Sequence, residues 1–125
     1  TFDIEAANVR YLSAGHPPPI MFSPHNHGER RFSQLATRST VLGLTNLVNL
    51  RMHDHPLVSG DELIAYTDGL PVGRHVRAVN SLFVERNFTH ESAPEALLKA
   101  VWTSETRRTG RTLDDDVSII WFKAA

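Results

Sequence analysis

Alternating apolar and polar residues predict short strands along the first half of the chain. Residues 2–6 and 9–14 alternate on either side of a tight connection, which predicts a β-hairpin. Three successive prolines at 17–19 then interrupt regular structure, because each removes a backbone donor. Further strands are predicted over the apolar or alternating segments 20–22, 30–35 and 47–57. The apolar run 41–44, between two of these strands, is expected to pack on the core as a loop.

The most informative stretch is residues 60–70, with the sequence GDELIAYTDGL. Gly60 and Asp61 form a turn pair, and the apolar run 63–66 that follows predicts a central strand. The strand ends at Asp68, with Gly69 behind it to turn the chain. A carboxylate is therefore expected at the end of a buried strand. The alternative is that Asp68, as an Asp before Gly, only forms a turn.

A second acidic group, Asp114, Asp115 and Asp116, opens the apolar run 117–122. If this strand is the antiparallel neighbour of the strand before Asp68, carboxylates of both segments lie at one edge of the same sheet. Oxygen ligands gathered this way favour a hard cation such as Mg²⁺ or Mn²⁺. Such acids can also form a solvated loop or protect a strand against aggregation. Three adjacent carboxylates repel one another, however, and a bound counter-ion would relieve that repulsion.

Helical spacing appears only in the second half of the chain. A short helix is predicted near 74–85, and a capping-box pattern with proline at 92–95 starts a longer one. Its apolar stripe consists of Leu97, Leu98, Val101 and Trp102. Residues 104–113 are polar and predict a mobile loop. Strands followed by helices and a last strand indicate an α+β fold, with helices against an antiparallel sheet.

Composition narrows the possible functions. The 125 residues predict one domain spanning 1–125, and 41% hydrophobic residues are enough for a packed core. A net charge of −1 argues against a general nucleic-acid or membrane surface. No cysteine is present, which favours a reducing cytoplasm, and no apolar run is long enough to span a bilayer. Because the chain starts at Thr1 with strand-like sequence, we expect a piece of a longer protein.

Three other residue groups could carry chemistry. The pairs His25/His27 and His53/His55 have a spacing that places each pair on one strand face, but no third or fourth zinc ligand is fixed. The arginines at 107, 108 and 111 could bind phosphate or simply be solvated. Ser13 lies three residues before His16, yet no acid nearby in sequence would orient a nucleophile–base pair.

Three motifs in the same order resemble one family. The motifs are AGHPPP at 14–19, GDEL running into YTDGL at 60–70, and DDVS at 115–118. Together they resemble the SpoIIE-like (RsbU-like) serine phosphatases, the bacterial branch of the metal-dependent type 2C protein phosphatases. The resemblance extends over essentially the whole chain and matches the C-terminal part of that domain.

The resemblance implies a fold, a reaction and a cofactor. The fold would be an antiparallel β-sandwich of two sheets flanked by helices. The reaction would be hydrolysis of phosphoserine or phosphothreonine on a regulatory protein, such as an anti-anti-sigma factor. Two Mn²⁺ or Mg²⁺ ions would activate the attacking water. By position, Asp68 and Asp115 would be metal ligands, with Asp114 and Asp116 as weaker candidates because the register of three adjacent Asp can slip.

Departures from the family pattern limit what the chain can do alone. The acids of the family's N-terminal half do not occur here, and residues 70–74 replace the acidic residue expected shortly after Asp68. We therefore expect the chain by itself to be inactive or very weak. The alternative is a degenerate phosphatase-fold module that binds a signalling partner without catalysis. Apolar surface left uncovered by the missing part predicts a homo-oligomer.

Overall fold

The structure is a computed structural model that describes residues 2–3, 7–24, 30–37, 40–44, 46, 49–75, 77, 79, 81, 93–113 and 115–125. Within these residues lie seven strands and one long helix. The strands are β1 (Phe2–Asp3), β2 (Asn8–Leu12), β3 (Ile20–Pro24), β4 (Arg30–Gln34), β5 (Met52–Pro56), β6 (Glu62–Tyr66) and β7 (Ile119–Lys123). The helix α1 spans Ala93–Thr109.

The strands form two antiparallel sheets. One sheet has the order β1-β2-β5 and the other the order β4-β3-β6-β7. The predicted hairpin β1–β2 is present, β3 and β4 also pair antiparallel, and β6 lies between β3 and β7 as a central strand. The expected α+β class is confirmed, as is the pairing of the strand before Asp68 with the last strand.

Alternation along β3 and β6 divides the core into two clusters. Ile20 and Ile64 face one side of their sheet and pack with Leu97 and Val101 of α1, all with no exposed surface. Met21 and Leu63 face the other side and pack with residues of β2, Val9 among them. One sheet is therefore covered by a helix on one face and by the second sheet on the other, a layered arrangement that buries both faces.

Helix α1 is longer than its sequence predicted. It continues through residues 104–109, which were expected to belong to a mobile loop, and that expectation is wrong for this part. Gly110 ends the helix with φ +70, a conformation that glycine adopts without strain. Arg107 and Arg108 lie in the last turn, where cations interact favourably with the helix dipole.

The buried face of α1 also differs from the apolar stripe that the sequence predicted. Leu97 and Val101 are fully buried and Leu98 is partly buried, but Trp102 is 46% exposed. Glu105 takes the next inward position instead, because it lies four residues after Val101 and is buried. The prediction that Trp102 belongs to the buried stripe is therefore wrong.

Other helical and loop predictions have mixed outcomes. Near the predicted helix at 74–85, a short 3-10 turn spans Val72–Arg74, and Arg77, Val79 and Ser81 are helical. The remaining positions of that prediction from 76 to 85 lie outside the described residues. The run 41–44 was expected to pack on the core, but its three apolar side chains are exposed, and that expectation is wrong.

The strand predicted over 47–57 is shorter in the structure. Residues 49–51 are not in a strand, positions 47–48 lie outside the described residues, and β5 begins at Met52. Its alternation places His53 and His55 on the less exposed face, with Met52 54% exposed on the other. In the part of the chain that the structure describes, no helix has the length and apolar character needed to cross a bilayer.

Candidate functional site

Hydrogen bonds join the end of β6 to the segment before β7. The strands pair with Tyr66 opposite Ile119, and the Thr67 N–H donates to the Ser118 carbonyl at 3.1 Å. The Thr67 hydroxyl donates to the Asp116 carbonyl at 3.3 Å and accepts from the Ser118 N–H at 2.9 Å. This single side chain therefore connects the two acidic segments that the sequence placed at one sheet edge.

Gly69 allows these two segments to approach closely. A Cβ atom built at this position would lie 2.3 Å from the Asp116 carbonyl oxygen, closer than any side chain can fit. The adjacent turn is closed by the Leu70 N–H, which donates to the Thr67 carbonyl at 3.1 Å. The glycine after Asp68 is thus required by the close packing between the two loops.

Asp68 and Asp115 line the same cavity at this edge. The cavity has a volume of about 540 Å³ and is open to solvent. Asp68 and Asp115 are both exposed, so an ion from solvent can reach their carboxylates. The other lining residues come from five chain segments: Pro17, Pro18, Gln34, Tyr66, Gly69, Leu70, Pro71, Val72, Gly73, Arg74, Glu105, Thr112 and Leu113.

The two weaker candidates are placed differently. Asp116 is exposed and is not among the lining residues; its N–H donates to the Asp115 carboxylate at 2.8 Å. Asp114 lies outside the described residues. Among the residues that the structure describes, no three His, Cys, Asp or Glu side chains come close enough to form a metal site. The described chain therefore brings two exposed carboxylates, those of Asp68 and Asp115, to the cavity, rather than a complete ligand set.

A buried polar network lies directly behind the cavity. The His75 Nε2–H donates to the Glu105 carboxylate at 2.5 Å, and Ser104 Oγ lies 2.9 Å from His75 Nδ1. Arg108 donates to the other carboxylate oxygen of Glu105 at 2.7 Å. His75 and Glu105 are only 4% and 8% exposed. The network fixes the loop after Asp68 to helix α1.

Two groups on the cavity wall have shifted pKa values. The Arg108 guanidinium, followed by His75, lowers the pKa of Glu105, because both stabilise the carboxylate. Burial raises the pKa of Tyr66, and a hydrogen bond with the Gln34 side chain partly opposes that effect. Glu105 is therefore ionised at neutral pH, and Tyr66 is a neutral phenol there.

The other candidate groups do not assemble into sites among the described residues. His53 stacks on Tyr11 with ring centroids 5.2 Å apart, and His25 and His27 lie outside the described residues. The Ser13 hydroxyl donates to the His16 backbone carbonyl at 3.2 Å instead of pairing with the imidazole. Of the three arginines at 107, 108 and 111, only Arg108 pairs with a residue of the cavity wall.

Sequence reasoning did not find His75 and Glu105. They are separated by 30 positions, and a single Glu among polar helix residues is typical of a solvated face. The available signal was the spacing of Leu97, Val101 and Glu105, which repeats every four residues. That spacing places the carboxylate on the buried face, where it requires a partner.

Comparison with known proteins identifies the relatives of this chain. The model of the family described as Stage II sporulation protein E (SpoIIE) matches residues 1–125. The phosphatase domain of the cell fate determinant SpoIIE from Bacillus subtilis matches 98% of the chain at 18% identity, with a TM-score of 0.64. The serine/threonine phosphatase of S. agalactiae matches 94% at 15% identity, with a TM-score of 0.60. No curated protein sequence matches the chain significantly.

These structures share the fold, but the chain corresponds to part of them. It spans 52% of the B. subtilis phosphatase domain and 55% of the S. agalactiae phosphatase. The expected antiparallel β-sandwich with helices, incomplete in this chain, is therefore confirmed. A partial domain also agrees with the two carboxylates found at the cavity.

Proposed function

The chain belongs to the SpoIIE family, and on that premise we propose that it forms part of a metal-dependent protein serine/threonine phosphatase. The substrate would be phosphoserine or phosphothreonine on a regulatory protein, such as an anti-anti-sigma factor. The observation that carries the proposal is the shared cavity of Asp68 and Asp115, formed where β6 ends and β7 begins.

The residues at this cavity could supply some of the ligands of a divalent-metal site. Asp68 and Asp115 offer exposed carboxylate oxygens, which are the ligands that Mn²⁺ and Mg²⁺ prefer. When bound, such ions lower the pKa of a coordinated water and neutralise charge on the phosphoryl oxygens. Two carboxylates are too few for two ions, so the remaining ligands would come from outside the described residues.

The protein's own groups hold these carboxylates in place. Thr67 and Gly69 keep the loop of Asp68 against the backbone of Asp116. The Asp116 N–H donates to Asp115 and orients its carboxylate. Because one Asp115 oxygen accepts this bond, the second remains available to a cation. The loops are thus arranged to present two oxygen ligands toward one space.

A second candidate function rests on the small number of acids at the cavity. Within the described residues no group of three possible ligands forms, and residues 70–74 carry no acid. A degenerate phosphatase-fold module that binds a signalling partner without hydrolysis would tolerate both features. This alternative predicts that divalent metal does not stabilise the fold.

Thermal unfolding with and without Mn²⁺ distinguishes the two functions. We expect millimolar Mn²⁺ to raise the Tm of the wild-type chain, because a ligand that binds only the folded state stabilises it, by about 1.4 kcal/mol at ten times its Kd. Asp68→Asn should lose the rise, since an amide is a much weaker cation ligand. Differential scanning calorimetry in Mn²⁺ and in EDTA would measure both.

Asp54→Asn is the matched control for this experiment. Asp54 is also an exposed carboxylate, but it lies on β5, pairs with Arg10 and is not part of the cavity wall. Its Mn²⁺ response should equal that of the wild type. An unchanged Tm of the wild-type chain in Mn²⁺ would favour the binding module, and an equal rise in Asp68→Asn would place the metal elsewhere.

A further inference from the structure

The short turn after Asp68 forms one side of the cavity. The Arg74 N–H donates to the Pro71 carbonyl at 3.0 Å, and the His75 N–H donates to the Val72 carbonyl at 2.8 Å. Val72 is completely buried in the core cluster beneath the turn, whereas the Arg74 side chain is exposed and lines the cavity. The turn therefore has a fixed inner side and presents a cation on its outer side.

The buried network of His75 holds the end of this turn. His75 follows Arg74 directly and is bound to both Glu105 and Ser104 of helix α1. A hydrogen-bonded buried residue restricts the backbone on either side of it, so the Cα position of Arg74 is well defined. An arginine on such a backbone loses less conformational freedom on binding than one on an unrestrained loop.

Charge on the cavity wall is unevenly distributed. Four of its described lining residues belong to the charged types, Asp68, Asp115, Glu105 and Arg74. Glu105 is already paired with Arg108 and His75, so it adds little free negative charge. Arg74 is thus the cationic lining residue that faces the same space as Asp68 and Asp115. A phosphate ester entering this cavity would meet two carboxylates and one guanidinium.

We propose that Arg74 binds the phosphoryl group of the substrate in the cavity of Asp68 and Asp115. The inference rests on the proposed phosphatase function and adds a substrate-binding residue to it. A guanidinium group donates two parallel hydrogen bonds to phosphate oxygens and keeps its charge at any pH of interest. Its place on the turn after Asp68 puts phosphate binding and metal binding on one chain segment.

The test compares inorganic phosphate binding by three variants of the full-length protein that contains this chain. Isothermal titration in Mn²⁺ should show that Arg74→Gln raises the Kd for phosphate about tenfold, the loss expected for a charge-assisted contact. Arg74→Lys should be intermediate, because it keeps the charge and loses the two-pronged geometry. Arg77→Gln is the control, since Arg77 is also exposed and lies outside the cavity wall.

Kinetics on a phosphoserine peptide separate this inference from the phosphatase proposal. Arg74→Gln should raise KM, with a smaller change in kcat and no change in Tm. A purely structural role of Arg74 would not produce this combination. Hydrolysis with equal KM in wild type and Arg74→Gln would overturn the inference and leave the phosphatase function standing. If the protein hydrolyses no phosphoserine peptide but its phosphate binding depends on Arg74, the phosphatase function would be overturned and the inference about Arg74 would stand. Phosphate binding that is equal in both proteins, or undetectable in both, would overturn the inference directly.

Discussion

Glu105 is the residue whose chemistry is most changed by the fold. It is buried on α1, and Arg108 and His75 bind both of its carboxylate oxygens. Its pKa is lowered mainly by Arg108, so folding favours the ionised form. This contribution to stability is complete above the ordinary pKa of 4.5 and is lost as the pH falls through the lowered pKa.

Replacing Glu105 should therefore change how stability depends on pH. Glu105→Gln keeps the shape of the side chain and removes its charge, so we expect a lower Tm at pH 7. The difference from wild type should shrink as the pH falls below 4.5, where the wild-type carboxylate becomes protonated as well. Thermal melts between pH 3 and pH 7, about one unit apart, would measure this difference.

Asp54→Asn provides the comparison for Glu105. Asp54 pairs with Arg10 at 2.7 Å, but the two side chains are 49% and 60% exposed. Exposed ion pairs contribute little to stability, typically about 0–1 kcal/mol, so this variant should melt close to wild type. An equal Tm loss in both variants at pH 7 would contradict the structural role assigned to the buried network.

At the scale of elements, the orientation of helix α1 gives the next prediction. Leu97→Ala removes a completely buried side chain and should destabilise the fold by about 2–5 kcal/mol. Trp102→Ala should cost less than half as much, although Trp is the larger residue, because Trp102 is 46% exposed. Urea unfolding of the two variants would measure both. A greater loss for Trp102→Ala would mean that the helix packs through the face first expected from its sequence.

The two elements that form the cavity edge were predictable because their ends are marked in the sequence. An apolar run that ends at Asp68 and Gly69 and another that follows three Asp residues define where two strands stop and start. Antiparallel pairing of β6 and β7 then brings the acids together. The metal roles of Asp68 and Asp115 stay predictions.

Helix α1 was less predictable because an apolar residue is exposed on it and a charged residue is buried. Trp102 was expected inside as an apolar residue, and Glu105 was assigned to a mobile loop after the helix. In the fold, the four-residue spacing from Leu97 through Val101 to Glu105 determines which face is buried, and His75 makes burial of the carboxylate possible. A partner 30 positions away leaves no local signal in the sequence.

At the scale of the whole molecule, apolar residues remain on the surface. Leu12 and Met52 lie opposite each other in the pairing of β2 with β5 and are 43% and 54% exposed, and Ile120 on β7 is 70% exposed. Adjacent exposed apolar residues favour association with another surface. The predicted homo-oligomer stays a prediction, and these exposed side chains are candidates for its interface.

The last prediction concerns what the chain does by itself. With two exposed carboxylates at the cavity and no three-ligand group among the described residues, we expect no measurable phosphoserine hydrolysis by these 125 residues in Mn²⁺. Metal activation of water requires a site that holds the ion through several ligands, and two exposed carboxylates bind it only weakly. The full-length protein that contains the chain should be active, and Asp68→Asn should abolish its activity. Phosphate release from a phosphoserine peptide would measure all three proteins. Metal-dependent turnover by the chain alone, lost in Asp68→Asn, would mean that its own residues complete the site.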